Sequence, residues 1–412
     1  MNLKTTIIIG GGHAGGEAAL SLRQGGYTGR IVLVCEEHGL PYQRPPLSKA
    51  FLLAATEPES LLIRPAANFT KADIEIASGI RVQAIDRQTR SVTLSDGSTL
   101  AWDNLIIATG SRPRQLALPD PTSLPPANLH YLRNLADAQR LKGDLQPGKK
   151  LLIIGGGYIG LEVASAALTL GLQVTVLEAE ERVLSRVTAP EVSAFYQQVH
   201  QSAGIRLLTG ARIRSIALSS NGTAVHSITL EDGQELVTDV VLAGIGAIPE
   251  TGLAEAAGLD VDNGIVVNEY CQTSDPAIYA IGDCSNHPSM AYQRRIRLES
   301  VPNAVEQARV AAQSINGNPK PYESVPWFWS DQYDLKLQMV GLSQGYDQVV
   351  IRGNPEERSF AAFYFAKDKL IAADCVSRPS EFGMIRKLVQ ARTSASSAPA
   401  LADTGVALKD LL

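Results

Sequence analysis

Apolar residues along the chain gather in short β-branched runs that end on glycine, and the runs alternate with stretches carrying small and apolar residues at helical spacing. Thr5 to Ile9 is the first run, Ala14 to Gln24 the first helical stretch, and Arg30 to Cys35 the second run. They predict strand, helix, strand. The same order returns at Leu151 to Ile154, a helix from about Tyr158 to Leu170, and a strand from Gln173 to Leu177. A likeness at this range reads as duplication of a nucleotide-binding half rather than as a short repeat. Two nucleotide sites are the natural expectation.

Each half also carries a hairpin and a closing strand. Arg90 to Leu94 and Thr99 to Ala101 flank Asp96-Gly97, and the buried-type run Leu105 to Ala108 then ends in Thr109-Gly110. Later, Ser227 to Leu230, Asp232-Gly233 and Asp239 to Ala243 repeat that grammar and end in Gly244-Ile245-Gly246. Proline-rich Leu118 to Pro126 and Asn316 to Pro326 predict crossings between domains. From Trp327 onward, runs at Leu335 to Val340, Gln348 to Arg352, Phe360 to Phe365 and Leu370 to Val376 precede a helix near Ser380 to Gln390. That pattern is a C-terminal α+β domain. Thr393 to Pro399, rich in Ser, Ala and Pro, reads as a surface linker to a short terminal segment. The fold class is α/β, with two Rossmann-like dinucleotide-binding domains plus that C-terminal domain.

Composition narrows the function. With 45% hydrophobic and 19% charged residues the 412-residue chain is neither disordered nor fibrous. A formal charge of −5 leaves no global basic field for nucleic acid or an anionic membrane, so a cationic docking site has to be local. Four scattered cysteines, Cys35, Cys271, Cys284 and Cys375, form neither a disulfide scaffold nor a CxxC metal site and suit a reducing compartment. Thr5 to Ile9 runs directly into glycines without the apolar segment of a secretion signal, and no run approaches the roughly 20 apolar residues of a membrane span. The expected location is the cytoplasm.

The chemistry starts at Gly10-Gly11-Gly12-His13-Ala14-Gly15. Gly10 permits a tight turn, Gly12 lets backbone amides approach a pyrophosphate, and Gly15 packs helix on strand. The helix start adds partial positive charge, worth up to about 1 kcal/mol toward an anion. Glu36, at the end of the second strand, can accept from a ribose 2′-hydroxyl. A tight turn without a ligand is the bland alternative. Gly155-Gly156-Gly157-Tyr158-Ile159-Gly160 repeats the motif, with Glu178 closing the next strand. An NADP 2′-phosphate beside Glu178 would meet a like charge, costing roughly 4 kcal/mol at an effective dielectric of 20. NADH is therefore the expected coenzyme, although Arg182 and Arg186 follow closely and can soften the repulsion.

Several ordered blocks carry a family resemblance across essentially the whole chain. They are the opening fingerprint, Pro41-Tyr42-Gln43-Arg44-Pro45-Pro46-Leu47-Ser48-Lys49, Ala108-Thr109-Gly110, Gly155 to Glu162, Tyr279-Ala280-Ile281-Gly282-Asp283, Leu298-Glu299-Ser300-Val301 with Asn303-Ala304, and Pro326 to Gln332. The chain resembles the ferredoxin reductases that feed bacterial oxygenases, flavoproteins of the glutathione-reductase superfamily. The resemblance implies a discontinuous FAD-binding domain of residues 1–112 and 247–322, an NADH-binding domain of 113–246, and a C-terminal domain of 323–412.

The resemblance also assigns roles. Gly10, Gly12, His13, Ala14, Gly15, Glu36, Arg44, Ala108, Thr109, Gly110 and Arg133 are implied to hold FAD. Gly282-Asp283 returns to that site, its carboxylate meeting the ribityl chain, and the Val301 amide meets the pyrimidine end of the flavin. Gly155, Gly157, Tyr158, Ile159, Gly160, Glu162, Glu178, Arg186 and Gly244 are implied to hold NADH, with Tyr158 an aromatic gate or, alternatively, helix-start packing. Lys49 and Glu162 are implied to pair near flavin N5, where an ammonium favours negative charge on the reduced ring. A structural ion pair is the competing account. Trp329 resembles an aromatic residue lying near the flavin, while Trp327 shares its strand face and competes for the core.

No cysteine lies between Glu36 and Lys49, where thiol reductases and cysteine peroxidases of the superfamily keep theirs. Electrons are therefore expected to leave for an external acceptor. The resemblance implies that this partner is an acidic 2Fe–2S ferredoxin serving a cytochrome P450 or Rieske oxygenase, taking one electron at a time. Arg294, Arg295 and Arg297, or Arg378, Arg386 and Lys387, are the candidate docking clusters, unless they are ordinary solvated faces. A monomer or weak homodimer is expected, and no metal site. The alternatives are a reductase for rubredoxin or a small acceptor, and a flavoprotein sensor akin to apoptosis-inducing factor.

Overall fold

The computed structural model describes residues 4–118 and 125–412, so that most of the first proline-rich crossing, residues 119–124, lies outside the described residues. The chain divides into two compact units. One comprises the residues up to Gln43, Pro58–Arg112 and Ala247–Pro326, and the other Arg44–Glu57, Pro113–Gly246 and Trp327–Leu412.

The first unit is built on a five-stranded parallel sheet in the order Ile278–Ala280, Asn104–Ile107, Thr5–Ile9, Arg30–Cys35, Ile74–Ser78. Its central strand is covered on both faces, which is why it reads as a continuous apolar run rather than an alternating one. The helices His13–Gln24 and Val301–Ile315 pack on each other, and the fully buried alanines Ala18 and Ala19 of one and Ala308 and Ala311 of the other belong to one core. Ile278–Ala280 reaches this sheet from far along the chain and sets Gly282 at the end where the other strands finish.

The second unit repeats the plan. Its parallel sheet runs Arg206–Leu208, Gln173–Leu177, Lys150–Ile154, Val240–Ala243, Leu129–His130. The registers correspond: Ile9 lies opposite Val34 and Ile107, and Ile154 opposite Leu177 and Ala243. In each half the next glycine donates its amide sideways, Gly10 to the Val34 carbonyl at 2.9 Å and Gly155 to the Leu177 carbonyl at 2.7 Å. Residues 44–57, which the sequence reading places with the first domain, pack here: Leu52 joins the core beside Leu141 and Leu145, and the Lys142 ammonium stands 4.8 Å from the Phe51 ring centre.

Also in this unit is an antiparallel sheet ordered Trp327–Gln332, Leu335–Gly341, Lys369–Val376, Ser359–Ala366, Gln348–Asn354, backed by the helix Pro379–Ala391. The expected linker at Thr393 to Pro399 is not one. The segment packs back through a short helix, Ala398–Ala402, with Leu401 and Leu408 buried. Arg352 explains it. Its guanidinium is buried, pairs with Glu381 at 3.1 Å, and donates to the carbonyls of Leu401 at 3.2 Å, Asp403, and Val406 at 3.1 Å. A buried cation with five donors requires such acceptors, and the returning tail supplies three.

Asp374 lies buried in the same sheet, accepting from the Tyr364 hydroxyl, whose oxygen in turn accepts from the Ala189 amide at 3.0 Å. Burial pushes its carboxyl up to about 7. The folded chain therefore holds this proton more tightly than the unfolded chain, so the group's stabilising effect is complete below its ordinary value and lost as pH rises through about 7. Between pH 6 and 8 the loss is about 1.4 kcal/mol. Asp374→Asn, which keeps the acceptor oxygen, should flatten that part of the pH profile, read from denaturation midpoints at the two pH values. Among the described residues no helix is long and apolar enough to cross a membrane.

Candidate functional site

The first glycine turn is tight at its ends and open in its middle. Gly10 has φ +117°, and a Cβ there would stand 2.2 Å from the Ala108 carbonyl oxygen. A Cβ on Gly15 would stand 1.9 Å from the Gly10 oxygen. Gly12, the N-cap of the helix that His13 and Ala14 begin, receives no side-chain cap, and no atom lies within 4 Å of its Cβ position. The turn thus leaves room beside an uncapped helix start, the setting in which backbone amides can take a pyrophosphate. Around the same strand ends, Gly282 has φ +76° and its Cβ would meet the Ala14 Cβ at 3.1 Å. Asp283 accepts from Ser111 Oγ at 3.0 Å, and Thr109 Oγ1 donates to the Glu250 carbonyl at 2.7 Å, whose amide returns to the Gly110 oxygen at 2.9 Å.

Val301 is the first residue of its helix, so its amide is one of the donors with no intrahelical acceptor, while Ser300 caps Asn303 at 3.2 Å. Gln307, fully buried on that helix, accepts from the Gly282 amide at 2.7 Å and Ser285 Oγ at 2.9 Å. The sequence carried no signal for it. The residues of this unit thus fit one dinucleotide with a long polar chain, such as FAD. Glu36 needs a closer reading. By register Cys35, not Glu36, matches Glu178 of the other half, and Glu36 is 69% exposed and 3.7 Å from Arg81.

In the second unit Gly155 has φ +109° with its Cβ position 2.3 Å from the Gly244 oxygen, and the Gly160 Cβ position is 2.2 Å from the Gly155 oxygen. Gly157 is again an uncapped N-cap with nothing within 4 Å of its Cβ position. The Glu178 carboxylate is fixed by two amides, Gly156 at 2.8 Å and Glu180 at 2.9 Å, which leaves lone pairs for ribose hydroxyls. Arg182 has its donors engaged by Ser193 Oγ at 2.5 Å and the Ser185 carbonyl at 2.9 Å, whereas Arg186 is exposed. Glu178→Ala is expected to raise KM for NADH by about tenfold, the worth of a hydrogen bond to a charged acceptor, and to narrow the preference over NADPH in steady-state assays.

Lys49 and Glu162 meet in this unit. Lys49 Nζ lies 2.8 Å from Glu162 Oε2 and also donates to the Pro45 carbonyl at 3.1 Å. Glu162 is only 4% exposed, and its remaining acceptor capacity is filled by Ser48 Oγ at 2.5 Å on Oε2 and Ser330 Oγ at 2.6 Å on Oε1. A carboxylate this buried requires a counter-charge and full hydrogen bonding. The serines carried no sequence signal. Tyr158 packs at a tilt against Phe328, ring centres 4.9 Å apart, and its hydroxyl donates to Met339 Sδ at 2.8 Å, while Ile159 beside it is 48% exposed. Trp329 is half-buried, 5.6 Å from Trp327, which takes the packing role against Phe382 and under the Arg386 guanidinium. Arg44 donates to the Arg133 carbonyl at 2.7 Å.

Of the first cationic cluster, Arg295 is committed to the Val267 carbonyl at 2.5 Å and Arg297 to Glu299 at 2.6 Å. In the second, Arg378 pairs with Glu381 at 2.5 Å. All four cysteines are free and buried, and burial raises each thiol, Cys35 to about 12. Such thiols are protonated and poor nucleophiles. Among the described residues no group of His, Cys, Asp and Glu is arranged to hold a metal ion.

Residues 4–308 match the model of the pyridine nucleotide-disulphide oxidoreductases, and residues 327–412 match that of a reductase C-terminal domain. The chain belongs to the pyridine nucleotide-disulphide oxidoreductase family, as an oxidoreductase that uses FAD and NAD(H). Its relatives lie among the ferredoxin reductases of oxygenase systems. It is 44% identical to putidaredoxin reductase of Pseudomonas putida, over 98% of this chain and 96% of that one. It is 42% identical to the ferredoxin reductase subunit of 5,5′-dehydrodivanillate O-demethylase from Sphingobium, over 98% and 97%. Among solved structures, the covalent putidaredoxin reductase–putidaredoxin complex matches with a TM-score of 0.95 at 44% identity, covering 100% of this chain and 98% of that one.

Proposed function

We propose that this chain oxidises NADH and passes the electrons, one at a time, to a 2Fe–2S ferredoxin that serves a bacterial cytochrome P450 or Rieske oxygenase. FAD, when bound, supplies the conversion, taking a hydride and releasing electrons singly. The chain's own residues bind and orient. The open turn at Gly12 takes the FAD pyrophosphate, with Asp283 and the Val301 amide directed to the rest of that cofactor. The turn at Gly157 takes the NADH pyrophosphate, and Glu178 holds its ribose. Lys49, oriented by Glu162, favours the electron-rich reduced ring. No general acid is required for hydride transfer; proximity and fixed charge suffice.

The observation that carries the reading is the burial of every cysteine. With no reactive thiol to relay electrons, the acceptor has to be a separate molecule. Free thiols also fit a cytoplasmic location. The test is stopped-flow mixing with NADH and then with a 2Fe–2S ferredoxin. Rapid bleaching of the flavin followed by repeated turnover of ferredoxin is expected. Turnover with rubredoxin or small acceptors alone, or slow bleaching with NADH-linked dimerisation, would overturn it.

A further inference from the structure

The strand Trp327–Gln332 presents Phe328, Ser330 and Gln332 on the side opposite Trp327 and Trp329. That side follows the helix Tyr158–Thr169 residue by residue. Phe328 meets the Tyr158 ring at 4.9 Å, Ser330 meets Glu162, and the Tyr333 amide, just past the strand, donates to Ser165 Oγ at 2.9 Å. The match is commensurate, because two residues of strand and four of helix both advance by about 6 Å.

Behind Ser330 runs a buried line of donors with one direction. His200 is fully buried and burial lowers its basicity, so its ring is neutral with one N–H. Burial likewise pushes the Tyr333 hydroxyl up to about 12, which keeps it a donor. Gln332 presents its Oε1 to His200 Nε2, so the ring proton lies on Nε2 and the Tyr333 hydroxyl donates a hydrogen bond to Nδ1 at 3.1 Å. Nε2 donates to Gln332 Oε1 at 2.8 Å, and this turns the amide so that Gln332 Nε2 donates to Ser330 Oγ at 3.2 Å. With that lone pair occupied, the Ser330 proton is directed to Glu162 Oε1 at 2.6 Å. Every group in the line has its orientation set by the one before, and each bond polarises the next.

Resting on the function proposed above, we propose that Ser330, held by Gln332 and His200, is a positioning residue for hydride transfer: it fixes the Glu162 carboxylate and thereby the Lys49 ammonium. The terminal torsion of a glutamate is soft, so its plane is set by hydrogen bonds rather than by a rotamer well. Ser48 and Lys49 both bind Oε2. Oε1 has Ser330. Without it the carboxylate turns, and Lys49 follows.

The test uses the FAD-loaded full chain as wild type, Ser330→Ala, Ser330→Thr, and Ser330→Ala in a Glu162→Gln background. Three quantities are read: the rate of NADH-driven bleaching at saturation, KM for NADH, and the flavin reduction potential by anaerobic titration. Ser330→Ala is expected to slow bleaching about tenfold, with KM unchanged, as for a lost hydrogen bond to a charged group, and to move the potential to more negative values. Ser330→Thr should restore both. In the Glu162→Gln background the alanine should add less than about twofold, since interacting sites are not additive. Rate and potential unchanged in Ser330→Ala, no rescue by threonine, or the full loss repeated beside Glu162→Gln would each overturn the assignment. Should Ser330→Ala not fold, Ser330→Cys, a near-isosteric and weaker donor, carries the same readings. A wild type that NADH does not bleach would instead end the proposed function itself.

Discussion

Lys49→Met is expected to slow NADH-driven bleaching of the flavin by about a hundredfold or more, the usual cost of removing one fixed charge or donor from the place where negative charge develops. It should also unsettle the fold. Glu162 is 4% exposed, and the ammonium 2.8 Å away is its counter-charge. The two serine hydroxyls remain as donors, but an ionised carboxylate left unpaired in the interior costs about 3 kcal/mol or more. Chemical denaturation reads that loss directly. The double variant Lys49→Met with Glu162→Leu separates the two effects, because replacing a buried pair by apolar side chains is often nearly neutral. Stability should return in part, because the buried Ser48 and Ser330 hydroxyls lose their acceptor, and the rate should not return. A Lys49→Met variant that is bleached at the wild-type rate would sink the role assigned to this lysine.

The second large effect concerns the glycines that have room. Gly12 has φ −80° and Gly157 has φ −82°, backbone that any residue adopts, and a Cβ at either meets no protein atom within 4 Å. Valine should therefore be tolerated by the fold at both positions and rejected only by what binds there. Gly12→Val is expected to give a folded but colourless protein. Losing two charge-assisted hydrogen bonds to a pyrophosphate amounts to about a hundredfold in affinity or more. Gly157→Val is expected to stay yellow and accept electrons from dithionite, yet fail to bleach with NADH. Gly15→Ala is the contrasting control, since its Cβ would lie 1.9 Å from a carbonyl oxygen and damage the turn itself. Absorbance and circular dichroism distinguish the three. A Gly12→Val protein that retains its flavin would remove the first turn from the cofactor site.

The central strands were legible because burial on two faces writes a run such as Ile7-Ile8-Ile9 into the sequence, and the turns because a positive φ at Gly10, Gly155 and Gly282 restricts the residue. Partnerships across long separations were not. Ser48, Ser330 and Gln307 are ordinary polar residues until folding places a carboxylate or an amide beside them. The tail after Thr393 looked like a linker by composition, and only the buried Arg352 reveals why it packs. Residues 44–57 carry family blocks but no mark of which unit they join; Leu52 and Phe51 decide it by what they touch. Register also matters: a one-residue offset in counting strand ends is what separates Glu36 from the position Glu178 holds.

The strand Ile278–Ala280 completes a sheet whose other members are all made before residue 108. On the ribosome, then, the opening β-α-β unit waits with one sheet edge bare while the whole of residues 113–246 is synthesised. With FAD held as proposed, its site is incomplete until the chain beyond residue 301 has been made. A nascent chain is then expected to acquire its colour only after Asp283 and Val301 have left the exit tunnel.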